Sequence, residues 1–138
     1  ITLGEKSSLQ FEKIKEDLKK ERKEYNKDNL ISNLQLGFWV HLFDNSNKAL
    51  WYKGLNRIFP RGTNRQDIFG KLDKIRKLRN RVSHYEIIIK NLDLLTDTIN
   101  ITMDILEIID KTIHKWTYNN CEIFQKLDFI RKNKKTSS

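Results

Sequence analysis

A single cysteine, Cys121, leaves the chain without an internal disulfide or a cysteine-rich zinc site. Such a chain suits a reducing compartment, most simply the cytoplasm. One proline and five glycines among 138 residues are too few for the frequent turns of an all-β fold, and they point to long regular elements. No stretch reaches the ~20 apolar residues of a membrane helix. The opening ITLGEKSSLQF also lacks the apolar run of a signal peptide. Ile1 where Met would initiate is what a trimmed chain, or a piece of a longer one, presents. The common catalytic signatures are missing too. FPRG and FGK lack the spacing of a glycine-rich phosphate loop, and there is no G-x-S-x-G elbow and no H-E-x-x-H metal helix. No metal and no cofactor is expected.

What is present is positive charge. Lys and Arg number 27 against 18 Asp and Glu, a formal net charge of +9. That excess favours anionic partners, nucleic acid or an acidic protein. The same excess arises in any Lys-, Asn- and Ile-rich chain of an AT-rich genome, so charge alone does not decide. The length fits one domain, residues 1–138, whose core needs no staples.

Apolar periodicity reads as helix after helix. Ser7 to about Tyr25 carries Leu9, Phe11, Ile14 and Leu18 on a stripe, with Glu12–Lys15 and Glu16–Lys20 at helical neighbour spacing. YNKDN breaks this pattern. A second helix is expected from Asp28 or Asn29 through LISNLQLGFWVHLF, with Leu30, Leu34, Phe38 and Leu42 inward and Trp39 and Phe43 flanking. DNSN reads as a turn in which Ser46 or Asn47 caps a third helix, KALWYKGLNRIFP, stopped by Pro60. Thr63 or Asn64 caps a fourth, with Asp67 in its first turn and Ile68, Leu72, Ile75, Leu78 and Val82 as its core stripe. After EIIIK a long helix begins near Asn91 or Leu92, with Leu95, Ile99, Met103, Leu106, Ile109, Ile113 and Trp116 as apolar positions. YNN interrupts it, a last short helix carries Ile123, Phe124, Leu127 and Ile130, and residues 131–138 form a basic tail expected to fray. The sum is an all-α fold, a bundle of five or six helices.

Few residues on these helices suggest chemistry. His41 sits among aromatics in FWVHLF and reads as structural. His114, late in the long helix, complements the dipole there. Asp93, Asp97, Asp104 and Asp110 read as that helix's wet face. What remains is RNRVSH, residues 79–84. Asn80 and His84 are four apart and share a helix face, off the stripe of Ile75, Leu78 and Val82. Arg79 and His84 are five apart, so a continuous helix separates them by about 140°. They converge only if the helix loosens near Ser83 or if two copies share the site across a dimer axis. The plain alternative is a basic helix end, in which Lys74, Arg76, Lys77, Arg79 and Arg81 simply complement the dipole.

LRNRVSHYE resembles the signature of the HEPN domains, an Arg with a polar residue directly after it and a His four to six residues on. The order LQLGFWVHLF, LWYKGLNRIFP, DIFGKLDKIRKLRNRVSHYEIII is similar to the Abi-like (abortive infection) branch of that superfamily, with its Phe-Trp pair, its Leu-Trp pair before a Phe-Pro, and its "RNR-aliphatic-small-HHEP-aliphatic" ending. The likeness covers about Leu34 to Ile89. Two positions depart from it: Tyr85 stands where the branch keeps a second His, and Ile87 where it keeps Pro.

The resemblance implies an α-helical bundle, usually dimeric, with motifs from two protomers facing across a cleft. It implies a metal-independent endoribonuclease of phage-defence or toxin–antitoxin type, with an antitoxin or regulatory RNA as a further partner; some relatives only bind RNA or assemble. His84 would act as base or acid, because an imidazole titrates near neutrality. Arg79 would clamp the phosphorane oxygens, and Asn80 would orient His84 or the phosphate. Arg81, Arg76 and Lys77 are candidates for holding the RNA backbone. Under this reading Arg79 and His84 lie exposed in a cleft near a two-fold axis. Burial of His84 against EIII would speak against an enzyme.

Overall fold

The computed structural model describes residues 3–22, 24 and 26–136, with backbone alone at 89 and 134–136. Among them every α or 3₁₀ element is helical and no strand occurs, so the all-α expectation holds. The count of five or six helices does not. There are eight: α1 (Glu5–Lys20), α2 (Lys27–Asn33), α3 (Leu36–His41), α4 (Lys48–Lys53), α5 (Arg65–Ser83), α6 (Leu92–Ile109), α7 (Lys111–Asn120) and α8 (Ile123–Thr136). Three short 3₁₀ segments stand between them. None of these helices is long and apolar enough to cross a membrane.

The two extra helices come from two breaks inside helices expected to be continuous. Leu34 and Gln35 both take extended backbone (ψ 120° and 158°), which divides α2 from α3. Asp110 is extended as well, at φ −157° and ψ 109°, and its Oδ1 accepts from the amides of Thr112 at 2.7 Å and Ile113 at 3.2 Å. It is the N-cap of a new helix, as its short acceptor side chain favours, and not part of a wet face. His114 accordingly sits near the start of α7, where the dipole offers a cation nothing. The third helix is shorter than expected too. Gly54 ends α4, and Leu55–Ile58 continue as 3₁₀. Tyr25, the expected end of the first helix, lies outside the described residues. α8 runs on to Thr136, into the stretch expected as tail, and 137–138 lie outside the described residues.

The chain forms two compact units, Ile1–Arg76 and Lys77–Ser138. In the first, α1 packs against α2 and α3. Leu18, Phe38, Val40, Trp51, Phe59 and Ile68 are buried there. Two of the aromatic landmarks meet, Trp51 and Phe59, with Phe43 beside them: Phe43 lies edge-on to Trp51 and Phe59, with ring centroids 6.5 and 5.8 Å apart, and Trp51 tilts over Phe59 at 5.5 Å. Such offset contacts are the favoured geometry of rings with negative faces and positive edges.

A buried amide ties this unit together. Asn47 is 1% exposed. Its Oδ1 accepts from the Gly4 amide at 2.7 Å, and its Nδ2 donates to Ser7 Oγ at 3.0 Å and to the His41 carbonyl at 2.8 Å. Of the two residues expected as the cap of α4, Ser46 and Asn47, Asn47 holds the N-cap position, but its side chain makes no cap bond and joins the start of α1 to the end of α3. Asp44 caps the turn below it, accepting from the Ser46 hydroxyl at 2.5 Å and the Asn47 amide at 3.3 Å. Burial pushes the Asp44 carboxyl up, but these hydrogen bonds, an amide bond from Ser46 and the nearby His41 outweigh it and hold it below the usual range. His41 Nδ1 stands 3.4 Å from Asp44 Oδ2. The Arg65 guanidinium, at the start of α5, donates to the Phe43 carbonyl and closes the same corner.

In the second unit Leu92 and Leu95 of α6 and Leu127 of α8 form a buried cluster, flanked by Leu78, Ile88, Ile99, Ile123 and Ile130. Arg131 of α8 reaches Thr96 Oγ1 at 2.9 Å across the same pair of helices. Leu78 is the contribution of α5. It anchors the turn of helix that carries Arg79 and Asn80.

Candidate functional site at the end of helix α5

Asn64 starts α5 with its side chain, accepting from the Gln66 amide at 2.7 Å. The helix then runs unbroken to Ser83. His84 still completes an α-type bond, its amide donating to the Asn80 carbonyl at 3.0 Å. Ser83 Oγ adds a bond back to the Arg79 carbonyl at 2.9 Å. The helix therefore does not loosen before His84, and Arg79 and His84 keep the separation of about 140° that five helical residues impose. Within one chain they do not converge. Arg79 does meet Asn80, donating from Nη1 to Oδ1 at 3.3 Å.

Directly after His84 the chain turns in the left-handed region. Tyr85 has φ +56°. Its amide donates to the Val82 carbonyl, and the Glu86 amide reaches back to the Arg81 carbonyl, both at 3.0 Å. This pair of bonds is the Schellman motif, which satisfies the last carbonyls of a helix and usually places glycine where Tyr85 stands. Here Arg81 Nε also donates to Glu86 Oε2 at 2.7 Å, so an ion pair spans the two ends of the motif where apolar residues commonly touch.

These contacts sort the candidate residues. Arg76 is held by Asp73, from Nε at 2.9 Å and Nη2 at 2.6 Å. Arg81 is held by Glu86. Lys74 and Lys77 are partnered as well. Arg79 and His84 are both exposed, and neither makes an ion pair among the described residues. Asn80 is half-buried between them. His84 is exposed rather than buried, and Glu86 and Ile87, the first two residues of EIII, are exposed as well.

The site is open surface within a single copy. Concavities of about 470, 490 and 450 Å³ lie between α1, α2 and α3, on α8, and at the turn before α5. Arg79, Asn80 and His84 line none of these. Among the described residues no group of three or more His, Cys, Asp or Glu side chains could hold a metal ion. Sequence reasoning missed Glu86. Its partner Arg81 lies five residues away, outside helical neighbour spacing, and only the left-handed turn brings them together. No family model matches the chain, and neither does any curated protein or solved structure.

Proposed function

We propose that the chain is an HEPN-like, metal-independent endoribonuclease of phage-defence or toxin–antitoxin type, working in the cytoplasm as a homodimer. The observation that carries this reading is the selective exposure of Arg79 and His84. Along the same stretch Arg76 and Arg81 are neutralised by carboxylates, while these two are exposed with no carboxylate partner among the described residues. An Arg–His pair suits RNA, whose own 2′-OH is the nucleophile. His84 takes the 2′ proton as the 2′-oxygen attacks phosphorus. The bond to the 5′-oxygen breaks, and an imidazolium returns a proton to that oxygen. Arg79 donates fixed hydrogen bonds to the charged non-bridging oxygens, and Asn80 orients the guanidinium. The products are a 2′,3′-cyclic phosphate and a 5′-hydroxyl. Because helix geometry sets Arg79 and His84 far apart in one copy, the working site draws on both protomers across a two-fold axis.

The test is incubation of wild type, Arg79→Ala and His84→Ala with mixed RNAs in EDTA, with the product ends mapped. Cyclic phosphate ends from wild type and a loss of at least about 100-fold in each variant are expected. Cleavage that survives both substitutions refutes the assignment. The divergence of Arg79 and His84 within one chain favours one second reading, a non-catalytic RNA-binding module. It predicts salt-dependent RNA binding with no new ends. An antitoxin or regulatory RNA partner belongs with the first reading.

A further inference from the structure

Tyr85 carries a backbone conformation that is strained for a side-chain-bearing residue and that glycine adopts freely. The turn closes the end of α5, but the Tyr85 side chain itself adds nothing to that closure. The residue is 94% exposed, and its hydroxyl has no hydrogen bond among the described residues. A tyrosine where glycine would serve the turn without strain, with a side chain that touches nothing, points to a role outside the fold. Its surroundings define that role. His84 precedes it, and the apolar side chains of Val82 and Ile87 are exposed on either side of it in the chain. A ring wet on both faces, directly after a histidine at the end of a basic helix, is the pairing by which proteins hold unpaired nucleotides. The cation takes the phosphate and the ring takes the base.

We propose that Tyr85 is a stacking platform for an unpaired base of single-stranded RNA, adjoining the phosphate that His84 meets together with Arg79 of the second copy. The inference rests on the reading of this surface as RNA-directed and gives it a substrate class. Duplex RNA keeps its bases stacked inside the helix and offers Tyr85 nothing, so the platform selects loops and single strands. The ring does the work and the hydroxyl does not.

The experiment measures binding of the full chain to a labelled, unstructured RNA of about twelve nucleotides, 2′-O-methylated so that it cannot be cleaved, and to the same strand in a duplex. Tyr85→Gly relieves the backbone, so it melts no lower than wild type, yet it loses about five- to 100-fold in single-strand affinity. Tyr85→Phe stays within about two-fold of wild type, and neither change moves duplex binding. If Tyr85→Gly binds the single strand like wild type while Arg79→Ala does not, the platform is refuted and the RNA reading stands. If wild type binds neither RNA, the RNA reading itself fails. If Tyr85→Gly instead lowers the sedimenting mass, Tyr85 covers a second copy of the chain and the proposal is overturned.

Discussion

Arg81 and Glu86 are joined twice: the Glu86 amide donates to the Arg81 carbonyl at 3.0 Å, and Arg81 Nε donates to Glu86 Oε2 at 2.7 Å. The side-chain link is half exposed, so its share of stability is small, about 0.2–1 kcal/mol. Its effect on charge is larger. Glu86→Gln releases the Arg81 guanidinium. Binding to single-stranded RNA should tighten, and the dependence of log Kd on log salt should steepen by about 0.7, the value for one more phosphate contact. An unchanged salt slope in a titration series would show that Arg81 does not reach the RNA.

Tyr85 in the left-handed turn predicts an unusual stability result. Replacing a large aromatic with glycine generally destabilises, but here Tyr85→Gly should stabilise by about 1 kcal/mol, a rise of a few degrees in Tm. Tyr85→Val, which adds β-branching at positive φ, should fall below wild type. Thermal melts followed by circular dichroism decide the order of the three.

Two inactive variants should rescue one another. Arg79→Ala protein supplies an intact His84, and His84→Ala protein supplies an intact Arg79. If the site is composite, mixing them under conditions of subunit exchange restores a measurable fraction of RNA cleavage. A site built within one chain gives none, since every copy in the mixture lacks a member. A single activity assay on the mixture, with each variant alone as control, separates the two arrangements.

Asn47 should be the most sensitive polar position in the first unit. Asn47→Ala leaves the Gly4 amide, Ser7 hydroxyl and His41 carbonyl short of a buried partner, a loss of about 2–3 kcal/mol. Urea unfolding of the variant would then give a clearly lower midpoint with an unchanged slope. Gly4→Ala should disturb the same corner, because a Cβ there would stand 2.8 Å from Ser46 Cβ.

Acid should weaken that corner through Asp44. Its carboxyl is held below its ordinary range in the folded chain, so it contributes stability above the unfolded value, near pH 4. That contribution is lost as pH falls through the lower folded value. Asp44→Asn removes it, so the variant should be weaker than wild type at pH 7 and the gap should narrow at pH 3. A gap that stays constant between the two would exclude Asp44 as the titrating group.

Helical periodicity was enough to place most of α1, α5 and α6, and Asn64 and Asn91 could be read as starts because their side chains suit an N-cap. The break at Asp110 was hidden for a physical reason. Ile109, Ile113 and Trp116 continue the apolar spacing of α6 through the joint, yet they are 61%, 50% and 66% exposed. Apolar rhythm reports a helix face, but burial requires something to cover it. At the site, the exposed Arg79 and His84 could be named from their motif, whereas the Arg81–Glu86 pair could not. It depends on a positive φ at Tyr85, which that residue type gives no reason to expect.

Leu78 and Arg79 are neighbours in the chain with opposite assignments. Leu78 packs against the Leu92, Leu95 and Leu127 cluster, and Arg79 is exposed. The guanidinium is thus aimed by a joint set in the core. A trimmed side chain beneath that joint, such as Leu127→Ala, would let the end of α5 wander by fractions of an ångström while the bundle still stood. Phosphate recognition has a tight angular tolerance, so the chain would lose its grip on a ligand well before it lost its fold.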